Sequence, residues 1–294
     1  MKTVIITGAN QGLGFETAKK IAAKSNDFNV ILACRNIERA EKAKDQIINE
    51  TKNPNISVMI LDTSSLKSVR EFVENYRQNK KEPIHALICN AGISSKSNTA
   101  KQVSKDGFDI IFATNHLGHF LLCNLMLPFM EKRGKIISIA SDMHDPPVKE
   151  GQKFEWLGVE PIAHPNDEMA MDRSRYSYSK LCNVYFVYEF AKILKEKNSE
   201  VTVNAFNPGL MKTNFTDIEP KIFEFIRINA PHRYGDLEKS SSSLAELIYS
   251  DLIQSSGNYY DRSTSTVKTS ELSYNEKNAK ELWDKSLEYT GLNV

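Results

Sequence analysis

The segment TVIITGANQGLGFETAKK, residues 3–20, decides how the chain folds. Its first five residues are a β-branched apolar run that is typical of a buried strand and ends at Gly8. Gly12 and Gly14 follow, and a helical pattern begins at these glycines. Glycines let the backbone turn sharply and approach a ligand, and the first N–H groups of a helix attract phosphate. The segment therefore predicts a phosphate-binding turn, with a glycine turn that binds nothing as the alternative.

The same order of strand and helix repeats along the chain. Strands are predicted at 3–7, 28–34, 56–62, 84–90, 134–141, 201–207 and, weakly, 257–261. Helices are predicted at about 12–24, 37–50, 65–80, 104–130 and 175–197. Most strand runs are continuously apolar, which indicates burial on both faces of a parallel sheet. The sequence therefore predicts an α/β fold, a doubly wound Rossmann fold of about seven mostly parallel strands flanked by helices, in a single domain over residues 1–294.

Two segments interrupt this rhythm. Residues 142–174 are rich in Pro, Asp and Met, and residues 210–240 contain PHRYGD before a serine run at 240–243. Long irregular segments in a compact domain are usually functional or disordered. We expect both to be insertions that shape a substrate pocket, and we expect the serine run to start a helix.

Composition narrows the class of partner and the compartment. The net charge of +1 favours neither nucleic acid nor an acidic membrane. The most apolar run, FLLCNLMLPFM (120–130), has eleven residues and contains Pro128, so no membrane span is predicted. The four cysteines form no CxxC motif, which predicts reduced thiols in a cytoplasmic protein. His116 and His119 are only two ligands, so no metal site is predicted.

The residue after the second strand bears on the cofactor. In dinucleotide folds that bind NAD, an acidic residue lies about 20 positions beyond the glycines. Here that place holds Cys34 and then Arg35. A guanidinium suits a 2′-phosphate, so the sequence predicts NADP(H) rather than NAD(H). The alternative is that Arg35 is a solvated loop cation.

The segment RYSYSKLCN, residues 175–183, offers a proton-transfer pair. On a helix Tyr176 and Lys180, four apart, share a face, whereas Tyr178 points elsewhere. A nearby ammonium favours a phenolate, so Lys180 is expected to lower the pKa of Tyr176 and make it an acid/base. A surface pair is the alternative. Ser141 ends the fifth strand, and Ser138, three residues earlier, is expected to face the opposite side.

Seven short motifs stand in the order of a known family. They are TGANQGLG (7–14), LDTSS (61–65), NAG (90–92), TNHLGHF (114–120), IISIAS (136–141), YSYSK (176–180) and NPG (207–209). With them the chain resembles the short-chain dehydrogenase/reductase family over nearly its whole length, and in particular the branch of retinol dehydrogenases and light-dependent protochlorophyllide reductases. The latter often carry a cysteine where this chain has Leu210 and Met211.

The resemblance implies site residues. The catalytic set would be Asn115, Ser141, Tyr176 and Lys180. The cofactor would contact Gly8, Asn10, Gln11, Gly12, Leu13, Gly14, Arg35, Asp62, Thr63, Asn90, Ala91, Gly92, Tyr176, Lys180, Pro208, Gly209 and Thr213. Ser141 would bind the substrate oxygen, Lys180 would also hold the nicotinamide ribose, and Asn115 would support a water path to the lysine, unless its amide only satisfies local backbone.

The sequence thus predicts an NADP(H)-dependent oxidoreductase. It would transfer a hydride between the nicotinamide C4 and a small-molecule carbonyl or alcohol. Alternatives are light-dependent reduction of a C=C bond, and a cofactor-binding regulator without catalysis. His144 and the apolar residues Met143, Phe154, Trp156, Met169 and Met171 either contact substrate or anchor a long loop. Homo-oligomer formation is left open.

Overall fold

A single seven-stranded parallel sheet organises the protein. The computed structural model describes residues 1–79, 82–95, 100–172, 174–213, 215 and 219–293. The strands are β1 (Lys2–Thr7), β2 (Phe28–Cys34), β3 (Ile56–Ile60), β4 (Ile84–Cys89), β5 (Met130–Ile139), β6 (Thr202–Asn207) and β7 (Tyr259–Asp261). Their order is β3-β2-β1-β4-β5-β6-β7, and every neighbouring pair is parallel. The direction of winding reverses between β1 and β4, where such folds bind ligands. The predicted fold is confirmed.

Helices cover both faces of the sheet. They are α1 (Gly12–Lys24), α2 (Ile37–Thr51), α3 (Leu66–Asn79), α4 (Ile110–Phe112), α5 (Gly118–Met126), α6 (Val159–Ala163), α7 (Asp167–Met171), α8 (Ser174–Glu196), α9 (Pro220–Asn229), α10 (Leu237–Tyr249) and α11 (Glu276–Thr290). Alternate residues of each central strand pack into hydrophobic cores on opposite faces of the sheet. In β1, Val4 and Ile6 face α1, α2 and α10. Ile5 faces α3, α5, α8 and α11. All three side chains are fully buried, as the continuous apolar runs predicted.

The helix predicted over 104–130 begins later than expected. Residues 104–109 form a turn in which the N–H of Ser104 donates to the carbonyl of Phe108. Asp109 then caps α4, because its carboxylate accepts the N–H groups of Ile111 and Phe112. A π-helical turn, Ala113–Leu117, joins α4 to α5. A short 3₁₀ turn then leads directly into β5, which begins at Met130 rather than at 134.

This helical stretch changes the argument about membranes. Ile110–Phe129 is continuous over 20 residues with a mean hydropathy of 1.4, which is long and apolar enough to cross a bilayer. The sequence argument excluded a membrane span because the apolar run had only eleven residues, and the longer helical stretch removes that reason. However, 78% of its most apolar window is buried inside the protein, as in a core helix.

Both irregular segments contain short helices. Residues 142–174 include a 3₁₀ turn at Asp142–His144 and the helices α6 and α7. Residues 210–240 include α9, and α10 begins in this segment with Asp236 as its cap, so the serine run lies within α10 rather than at its start. Residues 173, 214 and 216–218 of these segments lie outside the described residues.

Candidate active site

The predicted catalytic side chains meet beyond the carboxyl ends of the central strands. Tyr176 and Lys180 lie in the first two turns of α8. The Lys180 Nζ is 5.5 Å from the centre of the Tyr176 ring and donates to the carbonyl of Ile139, at 2.8 Å. Tyr178 instead packs against Phe154, with ring centres 4.6 Å apart. The helix therefore pairs the lysine with Tyr176, as the spacing predicted.

The pKa shifts of Tyr176 and Lys180 differ from the prediction. Burial lowers the pKa of Lys180 to about 7. Burial also raises the pKa of Tyr176 above its ordinary value, which a hydrogen bond with Ser141 partly opposes and the charge of Asp142 reinforces. The prediction that Lys180 lowers the pKa of Tyr176 is thus wrong for the net shift. Desolvation of the phenolate is the largest cause of the Tyr176 shift, Lys180 is not among its causes, and the Lys180 ammonium is itself costly to bury.

Ser141 lies between the strand and the first irregular segment. Its Oγ accepts the N–H of Met143 at 3.1 Å and donates to Asp142 Oδ1 at 3.2 Å. Ile136 and Ala140 face one core and Ile137 and Ile139 the other, so Ser138 and Ser141 take opposite sides of β5.

His144 anchors the loop that follows Ser141. Its Nδ1 donates to the carbonyl of Ser141 at 2.7 Å, and its Nε2 accepts the N–H of Ser270 at 3.3 Å. Trp156 likewise donates to Glu281 Oε2 at 3.0 Å. Of the two alternatives for the irregular segment, these contacts match an anchored loop.

Asn115 connects three parts of the site. Its Oδ1 accepts the N–H of Ile93 at 2.8 Å, and its Nδ2 donates to the carbonyl of Ile93 and to Ser179 Oγ, both at 2.9 Å. The π-helical turn presents this amide, a distortion that is frequent at functional sites. The amide therefore joins the segment after β4 to α8 rather than satisfying its own local backbone. The water path to Lys180 stays a prediction.

The glycine turn packs closely against the segment after β4. Gly8 has φ +65°, and a Cβ there would lie 2.9 Å from the Cα of Ala91. A Cβ at Gly14 would lie 2.5 Å from Asn90 Nδ2, which donates to the carbonyl of Thr7 at 2.8 Å. Gly12 differs, since its Cβ would meet Thr213 at an ordinary 3.8 Å. Gly12 instead has φ +59°, a conformation that favours glycine, and it opens α1, whose first N–H groups are of the kind that binds phosphate.

His119 is a structural member of the site that the sequence reasoning missed. Its Nδ1 donates to the carbonyl of Asn115 at 3.2 Å, so its Nε2 accepts the hydroxyl of Thr7 at 2.9 Å. The same Thr7 oxygen accepts the N–H groups of Asn90 and Ala91, both at 2.8 Å. The signal was available, because His119 lies one turn after Asn115 within the TNHLGHF motif.

The two buried histidines of this helix are neutral. Burial lowers the pKa of His119 to about 4 and that of His116 to about 3. His116 hydrogen-bonds Ser286 Oγ at 2.9 Å. Within the described part of the chain, no group of three or more His, Cys, Asp or Glu side chains could hold a metal ion.

The remaining predicted cofactor residues follow the same edge of the sheet. Arg35 is exposed immediately after β2. Asp62, two residues beyond β3, accepts the N–H of Ser64 at 3.0 Å with Oδ1. Thr63 touches α5 so closely that a Cβ at Gly118 would lie 1.9 Å from its carbonyl oxygen.

The last predicted group follows β6. Pro208 and Gly209 form a turn in which the N–H of Gly209 donates to Asn207 Oδ1 at 3.0 Å. Thr213 lies against Gly12 of the glycine turn. The structure therefore gathers the predicted residues from β1, β2, β3, β4 and β6 along one edge, although their roles stay predictions.

Known proteins share this fold and these motifs. A profile of the family described as short chain dehydrogenase matches residues 2–153. Retinol dehydrogenase 12 of Homo sapiens is 32% identical over 296 residues, which cover 99% of this chain and 87% of that protein. Polyprenol dehydrogenase of Homo sapiens is 29% identical over 308 residues, covering 99% and 86%. The crystal structure of an uncharacterized protein from Mycobacterium Paratuberculosis has a TM-score of 0.74 and 26% identity, covering 100% of this chain and 94% of that one.

The chain belongs to the short-chain dehydrogenase family, a class of nicotinamide-dependent oxidoreductases. Within that family it is similar to the retinol dehydrogenases, which confirms the resemblance drawn from its motifs.

Proposed function

We propose that this protein is an NADP(H)-dependent oxidoreductase that transfers a hydride between the nicotinamide C4 and a carbonyl or alcohol carbon. Tyr176 would be its acid/base. The observation that supports this most is the grouping of the Ser141 hydroxyl, the Tyr176 phenol and the Lys180 amine at the carboxyl end of β5. A carbonyl reduction needs a hydride donor, a proton donor and a group that holds the substrate oxygen, and the last two are present as side chains.

The residues fit a dinucleotide. The glycine turn and the N–H groups at the start of α1 suit its pyrophosphate. Arg35 suits a 2′-phosphate, and its place after β2 supports NADP(H) over NAD(H). The turns at 90–92 and 208–209 would line the nicotinamide half. When bound, the nicotinamide supplies or accepts the hydride.

Three side chains would carry out proton transfer and charge stabilisation. Since burial favours the neutral phenol, Tyr176 would hold the proton that a reduced carbonyl oxygen receives. Ser141 would donate a hydrogen bond to that oxygen as negative charge develops. Lys180, with a pKa of about 7, would become charged beside the anionic groups of cofactor or substrate and stabilise the phenolate after proton transfer.

The proposed substrate is an apolar aldehyde or alcohol. The ring of Phe215 lies 5.9 Å from that of Tyr176, which supports an apolar group beside the reacting carbon. The names of the related retinol and polyprenol dehydrogenases point to the same class of alcohol.

We also propose that the protein is cytoplasmic and has no membrane span. Burial of most of the Ile110–Phe129 stretch supports the absence of a span. All four cysteines are free and buried, and the sulfurs of Cys89 and Cys123 lie 3.4 Å apart without a disulfide, which fits a reducing compartment. Cell fractionation tests the location, and gel filtration tests the oligomeric state.

The decisive assay compares cofactors on the purified protein. A panel of apolar aldehydes is incubated with NADPH or NADH, in darkness and under light, and nicotinamide absorbance is followed. We expect turnover in darkness with NADPH and a preference for NADPH of at least about tenfold, equivalent to about 1.4 kcal/mol. A parallel assay replaces the aldehydes with a porphyrin pigment that carries the reducible double bond. Reduction of that pigment only under light would favour the C=C reductase, and NADPH binding without turnover of either substrate would favour the regulator.

A further inference from the structure

Arg175, the residue before Tyr176, forms an ion pair inside the protein. Its Nη1 donates to Asp109 Oδ2 at 2.6 Å, and each of the two side chains is only 3% exposed. Its Nε also donates to the carbonyl of Asp172 at 3.1 Å. Burying two charges is costly even when they are paired, and apolar replacements are often equally stable. Stability alone therefore does not explain why this pair lies beside Tyr176.

The acidic partner holds two helices at once. One carboxylate oxygen of Asp109 accepts the N–H groups of Ile111 and Phe112, at 2.9 and 3.0 Å, and so starts α4. The other oxygen accepts a hydrogen bond from the guanidinium of Arg175, near the start of α8. The position of α8 is thereby fixed relative to the first turn of α4.

A second contact joins the same two regions one helical turn further along. Asn115 Nδ2 donates to Ser179 Oγ at 2.9 Å, and Ser179 Oγ donates to the carbonyl of Tyr176 at 2.7 Å. We name the two contacts, Asp109–Arg175 and Asn115–Ser179, the α4–α8 clamp.

The clamp and the reactive pair occupy neighbouring faces of α8. Arg175 and Ser179 are four residues apart and share one face, and Tyr176 and Lys180 repeat this spacing one residue later. One residue turns a helix by about 100°, so the two faces are adjacent. Two contacts one turn apart tie the start of α8 to the segment around α4, on the face next to the one that carries Tyr176 and Lys180.

We propose that Arg175 and Asp109 are positioning residues: their ion pair fixes the rotation of α8 and so places the phenol of Tyr176 for proton transfer. This rests on the proposed function. A phenol oxygen about 8 Å from the helix axis moves about 1 Å when the helix rotates by about 7°. A displacement of about 1 Å at a reacting centre can lower the rate about 100-fold.

The test removes both charges together. In the double variant Asp109→Asn/Arg175→Met the asparagine still caps α4, methionine fills the arginine stem, and no buried charge is left unpaired. We expect an unfolding temperature close to wild type, NADPH affinity within about threefold, and a kcat lower by about 10- to 100-fold. In crystal structures of both proteins, the Tyr176 oxygen should move by about 0.5 Å or more relative to Ser141 Oγ.

The control makes the same exchange at an exposed ion pair. Lys101 Nζ lies 2.8 Å from Asp167 Oδ1, and these side chains are 54% and 90% exposed. The variant Lys101→Met/Asp167→Asn should retain the wild-type kcat, because exposed pairs contribute little and this one does not touch α8.

The outcomes separate the two proposals. A double variant with kcat within about twofold of wild type and an unmoved phenol overturns the positioning role. If the double variant does not fold, Arg175→Lys keeps the charge but loses the guanidinium geometry. A lower kcat with unchanged NADPH affinity then supports the clamp, and a wild-type kcat overturns it. If wild-type protein turns over no carbonyl, the proposed function fails, and the position of the phenol in the two crystal structures alone decides the clamp.

Discussion

Lys180 should make the folded protein less stable at neutral pH than a variant that lacks its charge. The side chain is only 4% exposed, and burial lowers its pKa from 10.5 to about 7. In Lys180→Met the carbonyl of Ile139 keeps a donor, because Asn183 Nδ2 lies 3.2 Å from it. The substitution therefore removes a costly buried amine without leaving that acceptor unpaired.

The size of the effect follows from the two pKa values. The unfolded chain binds the Lys180 proton more tightly than the folded protein does, so wild-type stability rises as pH increases from about 7 to 10.5. At pH 7 the shift costs the folded state about 4 kcal/mol, and at about pH 9.5 it costs about 1 kcal/mol. Loss of the hydrogen bond to Ile139 offsets about 1 kcal/mol. Lys180→Met should therefore be about 3 kcal/mol more stable at pH 7 and nearly equal to wild type at about pH 9.5.

Urea unfolding at the two pH values measures this difference. Lys192→Met is the matched control, since Lys192 lies on the same helix with half of its side chain exposed, so the same exchange there removes no buried amine. The reasoning is refuted if Lys180→Met is less stable than wild type at pH 7, or if its advantage does not shrink as pH rises.

Three further predictions concern the cofactor, acid stability and packing. Arg35→Ser should weaken NADPH binding at least about tenfold and leave NADH binding nearly unchanged in fluorescence titrations, whereas equal losses for both would contradict a 2′-phosphate contact. His116→Gln should make the free energy of unfolding fall less as pH is lowered: burial lowers the pKa of His116 from 6.5 to about 3, which costs wild type about 3 kcal/mol at about pH 4.5. Urea unfolding in which wild type and variant lose stability equally with falling pH would count against this. Gly118→Ala should destabilise the fold by about 3 kcal/mol in thermal unfolding because its Cβ would meet the Thr63 carbonyl, and a change below about 1 kcal/mol would show that the helix moves away easily.

The fold was largely predictable because its signals are local. The apolar runs and the glycine turn placed six of the strands within two residues, and a spacing of four separated Tyr176 from Tyr178. Helix boundaries were predictable only where a local pattern marks them. The start of α4 depends on the Asp109 carboxylate, whereas the predicted helix began at 104 and ran through Gly107.

Other features depend on contacts between distant segments. The π-helical turn at Asn115 is held by hydrogen bonds to Ile93 and Ser179, 22 and 64 residues away in sequence. The upward pKa shift of Tyr176 results from the depth of burial, which the spacing of two residues on a helix cannot reveal. The ion pair of Arg175 with Asp109 joins residues 66 positions apart, so no short motif marks it.

The most direct test of the account removes the phenol hydroxyl from Tyr176 in one variant and from Tyr178 in another. Tyr176→Phe and Tyr178→Phe are compared for turnover of an apolar aldehyde and for NADPH binding. We expect Tyr176→Phe to bind NADPH normally and to lose at least about 100-fold in kcat, the usual contribution of a positioned acid, while Tyr178→Phe stays close to wild type. Near-normal turnover by Tyr176→Phe would contradict the central claim that its phenol supplies the proton.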